Sequence, residues 1–330
     1  MPFYLGIDGG GTKTTCAIAD ESSVLATVSV GPSNVVRVGE ANARESLRQG
    51  VRQACAAAGI TPAEISHVCV GASGAGRPEV AAVVGGVIAE VVPSAVDVVG
   101  DTAIALEAAF SGGPGVIVIA GTGSVAYGRD AQGATARAGG WGFAISDEGS
   151  AQWVGRTAIA TLLRERVLES SKRDVREDPA DSNLLRALLH AWDLKSIDDL
   201  IRAANATPSP DFSALFPVVV ATADAGDGSA RQVLMQAGNE LASLADVVIR
   251  RLFPQAMPAS QSAPQSAAFR VPVAMIGGVF RHAAQVRDVF YNQIHSLHSN
   301  VDLNPQVVDP VSGAISLARK AARRVAAAKT

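Results

Sequence analysis

Residues 8 to 14 read Asp8-Gly9-Gly10-Gly11-Thr12-Lys13-Thr14 and follow the apolar run Leu5-Gly6-Ile7. Three glycines leave no Cβ in the way of an anion, and successive N–H groups in such a turn form a concavity that binds one. Thr12, Lys13 and Thr14 add hydroxyl and ammonium donors. Asp8 repels a phosphate, but it can hold a Mg²⁺ through water because hard cations take oxygen ligands. The group suggests magnesium-bound ATP, with Gly9, Gly10, Gly11, Thr12 and Lys13 forming the phosphate turn.

Other glycine-rich loops fit the letters less well. A Walker A loop needs glycine directly before the lysine, and Thr12 intervenes. A dinucleotide fingerprint opens a helix, whereas Thr14 to Ala19 is rich in β-branched and small residues and reads as a strand. The glycines therefore sit at a hairpin tip, where an ordinary tight turn is the competing reading.

A second glycine turn, Gly121-Thr122-Gly123-Ser124, follows the apolar run Val116 to Ala120 and leads into another strand pattern. It satisfies a relaxed G-x-G-x-x-A pattern, but Val125 to Gly128 continues as strand where a nucleotide-binding helix would begin. Asp101 ends the strand pattern Val96 to Gly100 and opens a helix, which places it at the carboxyl edge of a sheet. It is either a ligand-facing carboxylate or the helix N-cap. Gly140-Trp141-Gly142 offers a flat apolar face suited to a sugar ring, and Asp147 or Glu148 could accept paired hydroxyls or serve the positive end of the next helix. Asn34, in Gly31-Pro32-Ser33-Asn34, carries an amide that both donates and accepts. Gly71-Ala72-Ser73-Gly74-Ala75-Gly76 nearly reads as a hydrolase elbow, but Ala75 stands where that motif needs glycine.

These residues hang on alternating elements. Strands are expected at 3–8, 14–19, 24–30, 67–72 and 96–100, with helices at about 40–58, 78–91 and 102–110. The order strand, turn, strand, turn, strand then repeats from 116 to 138. Mostly helical sequence follows, near 149–169, 182–191, 196–204, 212–224 and 228–252. Residues 255–268 are a Pro/Ala/Ser/Gln-rich surface loop; a strand at 271–276, a helix at about 282–295, a strand near 307 and a helix from 311 complete the pattern. With 330 residues two domains are expected, 1–114 and 115–330, the last helix packing back on the first.

Composition narrows the classes. The chain is 48% hydrophobic and 18% charged, with a net charge of −3, which gives no field for nucleic acid. No apolar run reaches the ~18 residues of a membrane span, and no signal peptide is visible, so a cytoplasmic location is expected. Cys16, Cys55 and Cys69 are an odd number without metal spacing and read as small buried hydrophobes.

In order, Asp8 to Thr12, Gly31 to Asn34, Gly100-Asp101, Gly121 to Ser124, Gly140 to Gly142 and Asp147 to Ser150 resemble the N-acetylglucosamine kinase branch of the BadF-type ATPase family. That family lies within the sugar kinase, actin and heat-shock-protein ATPase superfamily. The resemblance implies an α/β fold of two actin-like (ribonuclease H-like) domains with ATP and sugar in the cleft between them. By position, Thr12 and Thr122 would meet ATP phosphates within a nucleotide site that includes Gly121 and Gly123, and Asp8 would lie near Mg²⁺. Ala223 and Gly277 would border the adenosine. Asn34, Asp101, Ser124, Gly140, Trp141, Gly142 and Asp147 would line the sugar, with Asp101 catalytic. The implied reaction is phosphoryl transfer to the 6-hydroxyl of an amino sugar by a homodimer. The runner-up is a BadF-type activator bridging an iron–sulfur cluster across a dimer, which needs cysteines that the glycine-rich loops of this chain lack. A filament-forming actin relative is a weaker alternative.

Overall fold

The computed structural model describes residues 1–142, 144–170, 182–254 and 270–328. In chain order the first elements are β1 (Phe3–Gly9), β2 (Thr14–Ala19), β3 (Val24–Val30), α1 (Val35–Ala58), β4 (Ile65–Ala72), α2 (Pro78–Ala89), β5 (Ala95–Gly100) and α3 (Asp101–Phe110). Then come β6 (Gly115–Ala120), β7 (Ser124–Arg129), β8 (Thr135–Gly139), α4 (Ala151–Ser170), α5 (Asn183–Ala191), α6 (Ile197–Ala204), α7 (Phe216–Asp224) and α8 (Gly228–Leu252). The chain ends with β9 (Val271–Ile276), α9 (Gly278–His282), α10 (Ala284–Leu297), β10 (Val301–Val308) and α11 (Pro310–Ala327).

The chain divides into two units, residues 1–117 with 308–330, and residues 118–307. The first carries a five-stranded sheet in the order β3-β2-β1-β4-β5. β1 is antiparallel to β2 and parallel to β4, so the sheet is mixed. Period-two alternation sends its side chains to two cores. Leu5, Ile7, Cys16, Ile18, Val68 and Val70 pack with Leu47 and Val51 of α1 and Val80 and Val84 of α2. On the other face Tyr4 and Cys69 meet Ile104 of α3 and Ala314 and Ala318 of α11. Each fully buried aliphatic side chain contributes about 1.5–3 kcal/mol. A Cβ on Gly6 would lie 2.8 Å from Ile315 N, and one on Gly313 would strike the Ile104 carbonyl, so α11 lies against bare backbone of both β1 and α3.

The second unit holds the sheet β10-β9-β6-β7-β8. Substituting β6, β7, β8, β9 and β10 for β1 through β5 reproduces the first order, so the repeat legible over three strands extends to all five. Helix α8 packs on β7, β8, α7 and α10.

Several expected boundaries moved for local reasons. Helix α1 begins at Val35 but is interrupted at Gly39, whose φ of 77° no helix accommodates, so the sequence pattern registered only the part after it. The helix expected at 212–224 is a 3₁₀ turn (Phe212–Leu215) followed by α7, because Pro217 lacks an N–H and fits only a first turn. The one expected at 282–295 divides at Ala283, which is extended (φ −113°, ψ 93°). The expected 255–268 loop lies outside the described residues. Cys16, Cys55 and Cys69 are free and buried, and burial pushes the Cys16 and Cys69 thiols up to about 12. Among the described residues no helix is long and apolar enough to cross a membrane.

Candidate active site

In the first unit three parallel strands stop flush. Gly9 pairs with Ala72, and Ala72 with Gly100, so Gly10, Ser73 and Asp101 leave the carboxyl ends of β1, β4 and β5 side by side. Loop carbonyls then stitch the edge together. Gly9 O accepts from Ser73 N at 3.2 Å, and Gly10 O accepts from Ser33 N and Asn34 N, each at 3.2 Å. The turn closes through Gly10 N donating to Lys13 O at 3.1 Å. A Cβ on Gly10 would lie 2.8 Å from that same Lys13 oxygen, and one on Gly9 would lie 2.9 Å from Ser33 Oγ. These two glycines are thus demanded by the turn's own backbone and its neighbour, in addition to any anion. Gly11 is half-buried, while the Thr12 and Lys13 side chains are exposed at the tip. Asp8 is half-buried and paired in register with Thr15 and Gly71.

Asn34 caps α1, its Oδ1 accepting from Val36 N at 3.1 Å and Arg37 N at 3.2 Å. Asp101 does not cap α3: Gly100 occupies that position, with φ −65° and ψ 150°. The Asp101 carboxylate instead takes Thr102 N on Oδ1 at 2.8 Å and Ser73 Oγ on Oδ2 at 2.6 Å. In sequence the loop holding Ser73 reads as a strand-to-helix loop able to approach an anion, and nothing in it singles out Ser73; the available signal is a hydroxyl immediately after a strand parallel to β5.

The second unit builds its turn differently. Gly121 N donates to Gly123 O at 2.9 Å, while Gly121 O and Thr122 O accept from Ala151 N at 2.9 Å and Gln152 N at 3.4 Å, at the start of α4. A Cβ on Gly123 would lie 2.7 Å from Asp147 Oδ2. Ser124 Oγ donates to Glu148 O at 2.7 Å. Asp147 is 6% exposed, holds a left-handed φ of 72° and accepts from Gly142 N at 3.3 Å. Burial is the main cause that raises its carboxyl above the usual range, and neighbouring Glu148 adds to it. The cap bond of α4 comes from Ser150 Oγ, which accepts from Trp153 N at 3.1 Å, so neither Asp147 nor Glu148 fills that post.

Trp141 is 68% exposed between Gly140 (φ 71°) and Gly142 (φ 95°). Arg137 steadies it, with its guanidinium 6.0 Å from the ring centroid and hydrogen bonds to Gly139 O at 3.1 Å and Gly140 O at 2.5 Å. Gly277 (φ 103°) lies against the end of β6, where a Cβ would strike Ala120 O, one residue before the second glycine turn. Ala223 is 1% exposed inside α7, and its carbonyl accepts from Arg231 Nε at 2.9 Å and Gly226 N at 3.0 Å.

A profile of the BadF/BadG/BcrA/BcrD ATPase family matches residues 5–318. The chain is 29% identical to an N-acetylmuramic acid/N-acetylglucosamine kinase of Clostridium acetobutylicum, over 97% of this chain and 99% of that one. It is 26% identical to an N-acetyl-D-glucosamine kinase of Dictyostelium discoideum, over 96% and 97% of the two chains. A crystal structure from Chromobacterium violaceum, described as a candidate N-acetylglucosamine kinase, superposes with a TM-score of 0.70 at 26% identity, covering 96% of this chain and 99% of that one. A Streptomyces griseus ROK family glucokinase, at 15% identity, shares the fold alone, with a TM-score of 0.57 over 96% and 99% of the chains. A family match over nearly the whole length, carried by two sheets of one topology, leads to one conclusion: the chain belongs to the BadF/BadG/BcrA/BcrD ATPase family.

Proposed function

We propose that this protein is an ATP-dependent kinase that phosphorylates the 6-hydroxyl of an amino sugar, with N-acetylglucosamine as the leading substrate and glucosamine or a related amino sugar as others in its class. The observation that carries the reading is Asp101, presented at the same carboxyl edge of the first sheet as the Gly9–Lys13 turn, with β4 between them and a donor on each carboxylate oxygen. The similarity over nearly the whole chain to kinases from Clostridium acetobutylicum and Dictyostelium discoideum supports it.

Backbone N–H groups of the turns at Gly9–Lys13 and Gly121–Gly123 would cradle phosphates, aided by Thr12, Lys13 and Thr122. Two glycine turns at strand ends, with the hydroxyl of Thr12 and the ammonium of Lys13 exposed at the first, support that reading. Asp8, an oxygen donor at the end of β1, fits Mg²⁺ held through water, and the ion when bound supplies charge neutralisation at the phosphate oxygens. Gly277, against the end of β6, would border the adenosine. Asn34, Ser124, Gly140, Trp141, Gly142 and Asp147 would hold the sugar, Trp141 through its exposed ring face and Asp147 by accepting hydroxyls. Asp101 accepts the proton of the attacking hydroxyl and aims its oxygen; in a loose phosphoryl transfer, orientation outweighs basicity. A homodimer in the cytoplasm completes this reading.

An ADP-release assay over a panel of sugars tests it. ADP formation that depends on an amino sugar is expected; ATP turnover equal with and without every sugar would overturn it.

A further inference from the structure

Ser73 is the first residue beyond β4, the strand between the one that ends at the Gly9 turn and the one that presents Asp101. Its two polar groups reach in opposite directions. The backbone N–H donates to Gly9 O at 3.2 Å, and Oγ donates to Asp101 Oδ2 at 2.6 Å. Thr102 N holds the other carboxylate oxygen at 2.8 Å. The terminal torsion of an aspartate is broad, so an unrestrained carboxylate sweeps a wide arc. One donor on each oxygen selects a single plane, and hydrogen bonds to a charged acceptor are the stronger kind.

We infer that Ser73 is a positioning residue: it fixes the plane of the Asp101 carboxylate and ties that plane to the first glycine turn, so that acceptor and phosphate donor are aligned by one loop. The inference rests on Asp101 being the base of the proposed transfer. In that step the hydroxyl O–H bond breaks and its proton passes to Asp101. The oxygen's electron pair forms the new bond to the γ-phosphorus, and the bond from that phosphorus to ADP breaks with its pair leaving on ADP. Ser73 keeps its own proton throughout; its work is angular.

The test compares Ser73→Ala, Ser73→Thr, Asp101→Asn and the Ser73→Ala/Asp101→Asn pair in the full chain. Ser73→Ala lowers kcat about 10–100-fold, the scale of one hydrogen bond to a charged group. KM for ATP and for the sugar stays within about twofold, as expected for an interaction that acts at the transition state. Ser73→Thr keeps the hydroxyl and restores most of the rate. In the Asp101→Asn background, Ser73→Ala removes nothing further from the residual turnover, because both changes act through one carboxylate. Wild-type kcat in Ser73→Ala beside an inactive Asp101→Asn overturns the role of Ser73 and leaves that of Asp101 standing. Near-normal turnover in Asp101→Asn removes the reading of Asp101 itself. A Ser73→Ala effect confined to KM for ATP, or a full further loss in the Asp101→Asn background, also overturns the inference, since it places Ser73 at the nucleotide turn alone. If Ser73→Ala melts early, Ser73→Cys, a weak donor of similar shape, is judged by the same criteria.

Discussion

The two glycine turns occupy the same place in sheets of the same strand order, yet they are held by opposite chemistry. At the first, the Gly9 and Gly10 carbonyls take backbone N–H groups from the loops after β4 and β3, and the tip carries exposed Thr12 and Lys13. At the second, the Gly121 and Thr122 carbonyls take the first N–H groups of α4, and a buried acid stands directly behind Gly123. The repeat therefore conserves backbone topology while dividing the work. The first turn presents cationic and hydroxyl donors, whereas the second backs its glycines with Asp147, suited to accept hydroxyls. Asp101, which we propose faces the phosphoryl acceptor, belongs to the first unit and is held there by hydroxyl and N–H donors.

This division can be broken from the top. Asp101→Asn lowers kcat for sugar phosphorylation by about 10²–10⁴, the usual range for a lost general base, while ATP still binds by calorimetric titration. Retained turnover would remove the acceptor from the first unit. Next come the turns themselves. Gly10→Ala strains the Lys13 contact and weakens ATP binding alone, by about tenfold, since close backbone approach is lost there. Gly123→Ala displaces Asp147 as well and raises KM for both ATP and sugar. Equal effects on ATP alone from the two variants would erase the distinction between the turns.

Asp147→Asn separates stability from function. Because burial raises the Asp147 carboxyl, the native state keeps its proton to higher pH than the unfolded chain does. Its favourable contribution is complete below the ordinary carboxylate range and is lost as pH rises through the raised value. Above that value the ionised group opposes folding. Asparagine tolerates the left-handed φ, so Asp147→Asn melts at the wild-type temperature or above it at pH 7, with the gain fading in acid, while KM for the sugar rises. A lower melting temperature at pH 7 would show that the acid is structural. The smallest effect on the fold belongs to Trp141→Ala. The ring is largely exposed, so stability changes by about 0.5 kcal/mol or less, yet sugar binding weakens measurably by titration. Unchanged sugar affinity would leave Arg137 as the ring's sole reason.

Much of this was legible in the letters. β2, β3 and β9 were read with the boundaries later found, because each is a compact apolar or β-branched run bounded by turn residues. The repeat was visible over β6 to β8 through its glycine turn, but β9 and β10 were not recognised as its continuation, since long helices separate them in sequence. The glycine turns, Ser73 and Asp101 are legible as residues that follow strands. What sequence hid was pairing across strands: Ser73 meets Asp101 only because β4 and β5 stop in register, a relation between residues 28 apart. The partnership of Asp147 with Gly123 is likewise tertiary.

The proposed transfer of a phosphoryl group from ATP to the 6-hydroxyl of an amino sugar is read out by phosphorus NMR of the product formed from ATP and N-acetylglucosamine. A new phosphomonoester signal split into a triplet by the two protons on carbon 6 is expected. Inorganic phosphate as the only new phosphorus species besides ADP, or a doublet from phosphate on a ring carbon bearing one proton, would overturn the proposed transfer.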